Sequence, residues 1–243
     1  MTNERAGEAE LRQEMVKACR VLYAAKAVGD GLGGHLSTRI GEERILIKPR
    51  PVSWWRLAPE DLIVIDFKGA RVDRPRDPSG VQEWPIHARV YASRPEVQCV
   101  LHAHPAASTL MAALGIEIEP LDQDCAALTN HVPVLDNGAV SISTPARGDA
   151  VAGALSIMGS VLLKNHGIVV AGKGIAEVCV TALRIEKVAE TMLRAAALAK
   201  LPLLSDETRA RILEARKGVE SSGISQERWR MLQDYYLGAS NGR

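Results

Sequence analysis

Apolar residues recur at helical spacing from Leu11 to Lys26, where Leu11, Met15, Ala18, Leu22 and Ala25 share one side of a 3.6-residue repeat. Glycine density over Gly29–Gly34 breaks that pattern, so the helix is predicted to end there. His35–Arg39 and Arg44–Ile47 then read as short strands with Gly41 at the turn between them, a β-hairpin. Leu62–Phe67 is rich in β-forming residues and closes on the turn sequence Asp66-Phe67-Lys68-Gly69. Arg71–Gly80, charged and broken by prolines, is a surface loop. Pro85 suits a first helical turn, with Ile86–Ser93 following as a short helix; Val97–His102 is a strand, and Pro105 opens the helix after it.

Further on, Val161–Lys164 and Ile168–Ala171 flank Asn165-His166-Gly167, which predicts strand, tight turn, strand. From Ile175 the apolar positions Val178, Ala182, Ile185, Ala189, Met192 and Ala196 advance by three and four residues, a long amphipathic helix. Ser205 and Ser225 are candidate N-caps for two more helices, the last ending near Tyr236. Residues 1–10 are polar and read as a flexible N-terminus, leaving 11–243 as one α/β domain with a helical C-terminal region.

Composition narrows the function classes. Thirty lysines and arginines balance 29 acids, so net charge gives no electrostatic case for nucleic acid or an anionic membrane surface. No run approaches the roughly 20 apolar residues of a bilayer span, and MTNERAGEAE lacks the apolar core of a secretion signal, so a cytoplasmic protein is expected. Cys19, Cys99, Cys125 and Cys179 lack paired spacing and are expected to be reduced and mostly buried.

The candidate chemistry lies in the histidines. In Val100-Leu101-His102-Ala103-His104 two imidazoles lie two residues apart, so a strand presents both on one face. His166 sits in a turn from which a ring can project past a sheet edge; alone it would read as a turn histidine. Three neutral imidazoles around an open position describe a catalytic zinc-type site, and other divalent metals accept the same ligands. Glu83, just before the Pro85 helix, is either a helix-start acid favoured by the dipole or a general acid/base facing the metal. His87 reads as a structural hydrogen-bonding residue.

The ordered set GHLSTR, LIKP, EWPIH, VLHAHP and LLKNHG, spanning about Leu11 to Ala196, resembles the class II aldolase/adducin family. That family includes fuculose-phosphate aldolase, ribulose-phosphate epimerase and several decarboxylases. The resemblance implies an αβα fold with a central, mainly antiparallel sheet, assembled as a homotetramer. It implies His102, His104 and His166 as metal ligands and Glu83 as the catalytic acid/base. The metal expected is a divalent cation, zinc first, with iron, manganese or cobalt as alternatives. Adducin, a cytoskeletal relative without turnover, lacks such ligands, and their retention argues against a purely structural role.

The sugar-phosphate members grip phosphate through GNxS, TPSG and SSE segments. The corresponding stretches here are Gly34-His35-Leu36-Ser37, Lys48-Pro49-Arg50-Pro51 and Val81-Gln82-Glu83, so most of that cradle is missing. Lys48 and Arg50 suit carboxylates as well as phosphates. His35, Ser37, Lys48 and Arg50 are therefore the expected substrate-binding residues, for a small-molecule carboxylate. Trp54 and Trp55 offer either a wall for a ring or an apolar subunit interface. The expected reaction is decarboxylation of a hydroxylated aromatic or β-oxo diacid, of the dihydroxyphthalate type. Retro-aldol cleavage of a sugar phosphate or hydroxy-oxo acid is the alternative, followed by a non-catalytic adducin-like module.

Overall fold

A computed structural model describes residues 2–74, 76–77, 80–128, 131–201, 203–215 and 223–238. Its centre is a seven-stranded sheet of β1 (His35–Arg39), β2 (Arg44–Ile47), β3 (Ile63–Asp66), β4 (Cys99–Ala103), β5 (Val134–Leu135), β6 (Ser160–Leu163) and β7 (Gly167–Gly172). The order is β3-β2-β1-β4-β7-β6-β5, antiparallel throughout except for the parallel β5–β6 pair. The expected β1–β2 hairpin is present, and the centre of the sheet is β4, paired with β1 on one side and β7 on the other.

Strand alternation divides the interior into two layers. Leu36, Leu46, Val64, Leu101, Leu162, Ile168 and Val170 point into one apolar cluster, while Ile45, Ile47, Ile63, Ile65, Val100, Val161, Leu163 and Val169 point into the other. Over the first cluster lie α1 (Thr2–Ala24), α3 (Ala106–Ala113), α4 (Gln123–Leu128), α6 (Ile175–Ala196) and part of α8 (Gly223–Gln233). Over the second lie α2 (Trp84–Ser93) and α5 (Pro145–Ala154). This is the expected αβα arrangement, with both faces of the sheet covered.

Several boundaries differ from the pattern-based expectations. Residues 2–10, expected to be loose, are helical, because an Ala/Glu/Arg-rich segment favours helix without needing an apolar stripe. The Arg12 guanidinium pairs with Glu8 one turn earlier. Ser205 caps α7 (Asp206–Ala215), accepting from Thr208 N at 3.2 Å, but α8 begins at Gly223, two residues ahead of Ser225. The α4, β5 and α5 elements were not anticipated: two are very short, and α5 is built of small residues with little apolar contrast. All four cysteines are free and buried, and burial pushes the Cys19 thiol up to about 12. No helix among the described residues is long and apolar enough to cross a membrane.

Candidate metal centre

The β4 strand delivers the first candidate ligand. His102 lies opposite His35 of β1 and Val169 of β7, and its side chain is fully buried. Its Nδ1 is 3.0 Å from the carbonyl of Ile168, and a carbonyl only accepts, so Nδ1 carries the proton and Nε2 is turned inward. His104 follows two residues on, with its Nε2 3.2 Å from the Nε2 of His102. Asn165, in the left-handed region at φ 55°, makes the turn between β6 and β7 and projects His166 toward the same point. The three rings stand 4.8–5.2 Å apart, centre to centre.

Glu83 is the residue before α2, yet its side chain makes no cap to that helix. One carboxylate oxygen lies 3.2 Å from His102 Nε2, and the other lies 3.5 Å from His166 Nε2. The latter oxygen also accepts from Ser141 Oγ and Ile142 N, both at 2.9 Å. Of the two readings of Glu83, the geometry therefore selects the one facing the histidines. Burial pushes its carboxyl up, but the adjacent His102 and His166 outweigh this and hold it well below the usual carboxylate range. Ser141 and the Ile142 amide were not singled out in the sequence, because nothing in a serine within a loop marks it as an anchor for a distant glutamate.

The donor set fits a divalent cation. One nitrogen or oxygen from each of Glu83, His102, His104 and His166 lies within 4.8 Å of the others. Burial and the neighbouring His102 and His166 lower His104 to about 3, so that ring is neutral at physiological pH with a lone pair to donate. His102 Nε2 and His104 Nε2 confront each other across 3.2 Å, while Nδ1 of His102 already holds its ring's proton. A cation between them would take a lone pair from each ring.

Glycines bring backbone against these rings. A Cβ on Gly33 would lie 2.8 Å from two atoms of the His104 ring, and one on Gly167 would lie 2.3 Å from the Ala103 carbonyl and 2.7 Å from His104 Cδ2. At Gly34, which has φ 78°, a Cβ would meet the His102 carbonyl at 2.4 Å. Trp54 fastens this loop, its Nε1 donating to Gly33 O at 2.6 Å.

The cluster opens into a cavity of about 240 Å³, lined among others by His35, Arg50, Gln82, Glu83, His104 and His166. A larger groove of about 920 Å³, with Tyr23, Lys26 and Leu32 in its wall, shares Gly33, Arg50 and His104 with it. Of the expected substrate-binding residues, His35 and Arg50 line this cavity. Burial lowers His35 to about 4, and its Nδ1 is 2.9 Å from the Lys48 carbonyl.

Two expected substrate contacts lie elsewhere. The side chain of Lys48 follows the alternation of β2 into the layer under α1: it is fully buried, its ammonium donates to Pro49 O at 3.1 Å and it stands 5.1 Å from the centre of the Trp54 ring. Burial lowers it to about 8. Ser37 is also fully buried and bonds His87 Nδ1 at 2.8 Å and Tyr91 Oη at 2.9 Å, and it is not among the residues that line the cavity. His87 accordingly has the structural hydrogen-bonding role expected of it. The two tryptophans divide, Trp54 being buried and Trp55 half exposed beside Tyr23.

Comparison with known proteins agrees with this geometry. Residues 13–193 match the family described as Class II Aldolase and Adducin N-terminal domain. A 3,4-dihydroxyphthalate decarboxylase of Terrabacter sp. (strain DBF63) is 33% identical over 207 residues, covering 79% of this chain and 83% of that protein. A 5-methylthioribulose-1-phosphate/5-deoxyribulose-1-phosphate aldolase of Rhodospirillum rubrum is 28% identical over 207 residues, covering 85% and 91%. The solved L-fuculose 1-phosphate aldolase from Glaciozyma antarctica PI12 superposes with a TM-score of 0.80 at 20% identity, covering 98% of this chain and 92% of that one.

Proposed function

Because the chain belongs to the class II aldolase and adducin N-terminal domain family, we propose that it is a metal-dependent carbon–carbon lyase that decarboxylates a hydroxylated aromatic or β-oxo diacid. The observation that carries this reading is the cavity that Arg50 lines together with Glu83, His104 and His166. A cation-binding cluster, a proton-transfer group and a guanidinium thus share one space. The 33% identity to a dihydroxyphthalate decarboxylase supports the choice of substrate class.

His102, His104 and His166 would hold the cation, with Glu83 at its edge. When bound, a divalent cation supplies Lewis acidity for the negative charge left on substrate oxygen as the carbon–carbon bond breaks. Arg50 binds a carboxylate of the substrate through a paired, charge-assisted contact and so fixes the ring in the cavity. Glu83, held in its ionised form, takes the proton of the substrate hydroxyl. It then delivers that proton to the ring carbon bearing the departing carboxylate, which gives the keto form. Cleavage releases carbon dioxide, and the bonding pair returns through the ring to the oxygen. His35 stays neutral and packs beside these groups as a polar wall.

Retro-aldol cleavage is the second reading, favoured by the aldolase relative from Rhodospirillum rubrum. There too a cation held by these residues would supply Lewis acidity to substrate oxygen, and Glu83 again carries the proton. A panel of hydroxylated aromatic diacids and sugar phosphates, assayed for carbon dioxide and for aldehyde, separates the two. Carbon dioxide release from the diacids supports decarboxylation. Aldehyde formed from phosphorylated substrates alone overturns it in favour of the aldolase. Assembly as a homotetramer is part of the same proposal, supported by the exposed Leu32 and Trp55 beside the larger groove. A sedimentation measurement giving a monomer at micromolar concentration would reject it.

A further inference from the structure

The buried carboxylate of Glu186 has no part in the chemistry above. It lies on α6 with 7% of its surface exposed, and it reaches across to the start of α3. One oxygen accepts from Ala107 N at 2.8 Å; the other accepts from Ser108 N at 2.9 Å and Ser108 Oγ at 2.8 Å. These amides belong to the first turn of α3, where N–H groups have no partner within the helix. The residue at the local cap position is Pro105, whose side chain makes no cap, so the cap comes from a different helix. A carboxylate there also answers the positive end of the helix dipole.

The next residue toward the N-terminus is His104. Pro105 joins it to α3 with φ −67°, a torsion that its ring locks, so little freedom separates the capped turn from the ligand. Gly33 and Gly167 flank the His104 ring closely enough that neither leaves room for a Cβ. Its position is fixed by backbone contacts and by the point at which α3 begins.

We propose that Glu186 is a positioning residue for the metal centre: by capping α3 from α6 it fixes the backbone that carries His104, and thereby the affinity and geometry of the site. The proposal rests on His102, His104, His166 and Glu83 binding a metal. Groups that orient ligands typically change metal affinity about 10–100-fold when lost. In Glu186→Gln one acceptor becomes an NH₂ group facing N–H donors, so the variant keeps shape and loses the paired cap.

The test is zinc affinity by chelator competition, with the visible absorption of the cobalt-loaded protein as a report on ligand geometry. Wild type, Glu186→Gln, Ser108→Ala, His104→Ala and Ile65→Ala would be compared, each with its melting temperature and far-ultraviolet circular dichroism. Glu186→Gln should bind zinc about 10–100-fold more weakly and show an altered cobalt spectrum while remaining folded. Ser108→Ala, which removes one of three bonds, should shift affinity in the same direction by less. It serves in place of Glu186→Gln if that variant does not fold. Ile65→Ala, in the β3 edge strand, should lower the melting temperature and leave affinity and spectrum unchanged. If folded Glu186→Gln, or Ser108→Ala in its place, binds zinc as wild type does and only melts earlier, Glu186 is a structural residue and the proposal is wrong. If His104→Ala also binds as wild type does, or wild type takes up no stoichiometric zinc, the metal reading fails and carries this proposal with it.

Discussion

At the scale of single residues, the distinction that matters is between a group that faces the cavity and one that only neighbours it in sequence. Glu83 contacts His102 and His166 directly, and its other anchors are Ser141 and the Ile142 amide. Glutamine keeps the shape and the bond from Ile142 but cannot take or return a proton. Glu83→Gln is therefore expected to lower turnover by about 10²–10⁴-fold while elemental analysis finds the metal content nearly intact. A matching loss of metal would make Glu83 chiefly a ligand. Arg50 and Lys48 lie two positions apart and diverge, Arg50 onto the cavity and Lys48 under α1. Arg50→Ala should mainly raise KM, and more for a diacid than for its monoacid analogue, with Arg50→Lys recovering part because it keeps charge and loses the bidentate fork. Equal penalties on both substrates would remove the carboxylate contact. Truncating Lys48 should instead act on stability, since it empties a buried position beside Trp54.

At the scale of elements, the site depends on how closely β4, β7 and the loop before β1 approach one another. Gly33 and Gly167 are the points of closest contact with His104. In Gly33→Ala the added methyl meets the tip of an imidazole, which can swing aside, so the protein should fold while calorimetry finds weaker zinc binding, by about tenfold or more. In Gly167→Ala the methyl meets the Ala103 carbonyl within the β4–β7 ladder, which cannot yield as a side chain does. That variant is expected to lose about 1–3 kcal/mol by denaturant titration, as overpacked positions do. A Gly33→Ala protein with wild-type zinc affinity would mean that His104 needs no backing from the loop.

At the scale of the whole molecule, titration and metal binding act on folding stability. His35 and His104 are held neutral by burial, lowered from the ordinary 6.5 to about 4 and about 3. Above pH 6.5 neither the folded nor the unfolded chain protonates them. Between 6.5 and those values the unfolded chain binds protons that the folded chain refuses, so stability falls as the solution is acidified. Metal-free protein should lose up to about 1.4 kcal/mol per pH unit for each such histidine below pH 6.5, followed by urea titration across that range. A flat profile would contradict the burial of both rings. Zinc at 100 times its dissociation constant should add about 2.7 kcal/mol at neutral pH, read as a rise in melting temperature, since it binds only the assembled ligands.

The sequence by itself determined the elements with a strong period and the candidate ligands they carry. The two-residue alternation of β4 places His102 on the face of Val100, and the Asn165-His166-Gly167 turn follows from residues that tolerate a left-handed backbone. The long apolar repeat of α6 was legible for the same reason, whereas α4 and β5 were too short to establish any period. Spacing also indicated that Glu83 precedes a helix, yet could not say whether it caps that helix or faces His102, because this depends on where β4 and the Ser141 loop lie. The fates of Ser37 and Lys48 were decided in the same way, by which face of the sheet each occupies and what covers it. Glu186 follows Ile185 in the apolar repeat of α6, and its bonds to the start of α3 arise only where the two helices pack. Local sequence governs backbone period and turn chemistry over a few residues; contacts between groups 59 and 79 positions apart arise only when the layers pack.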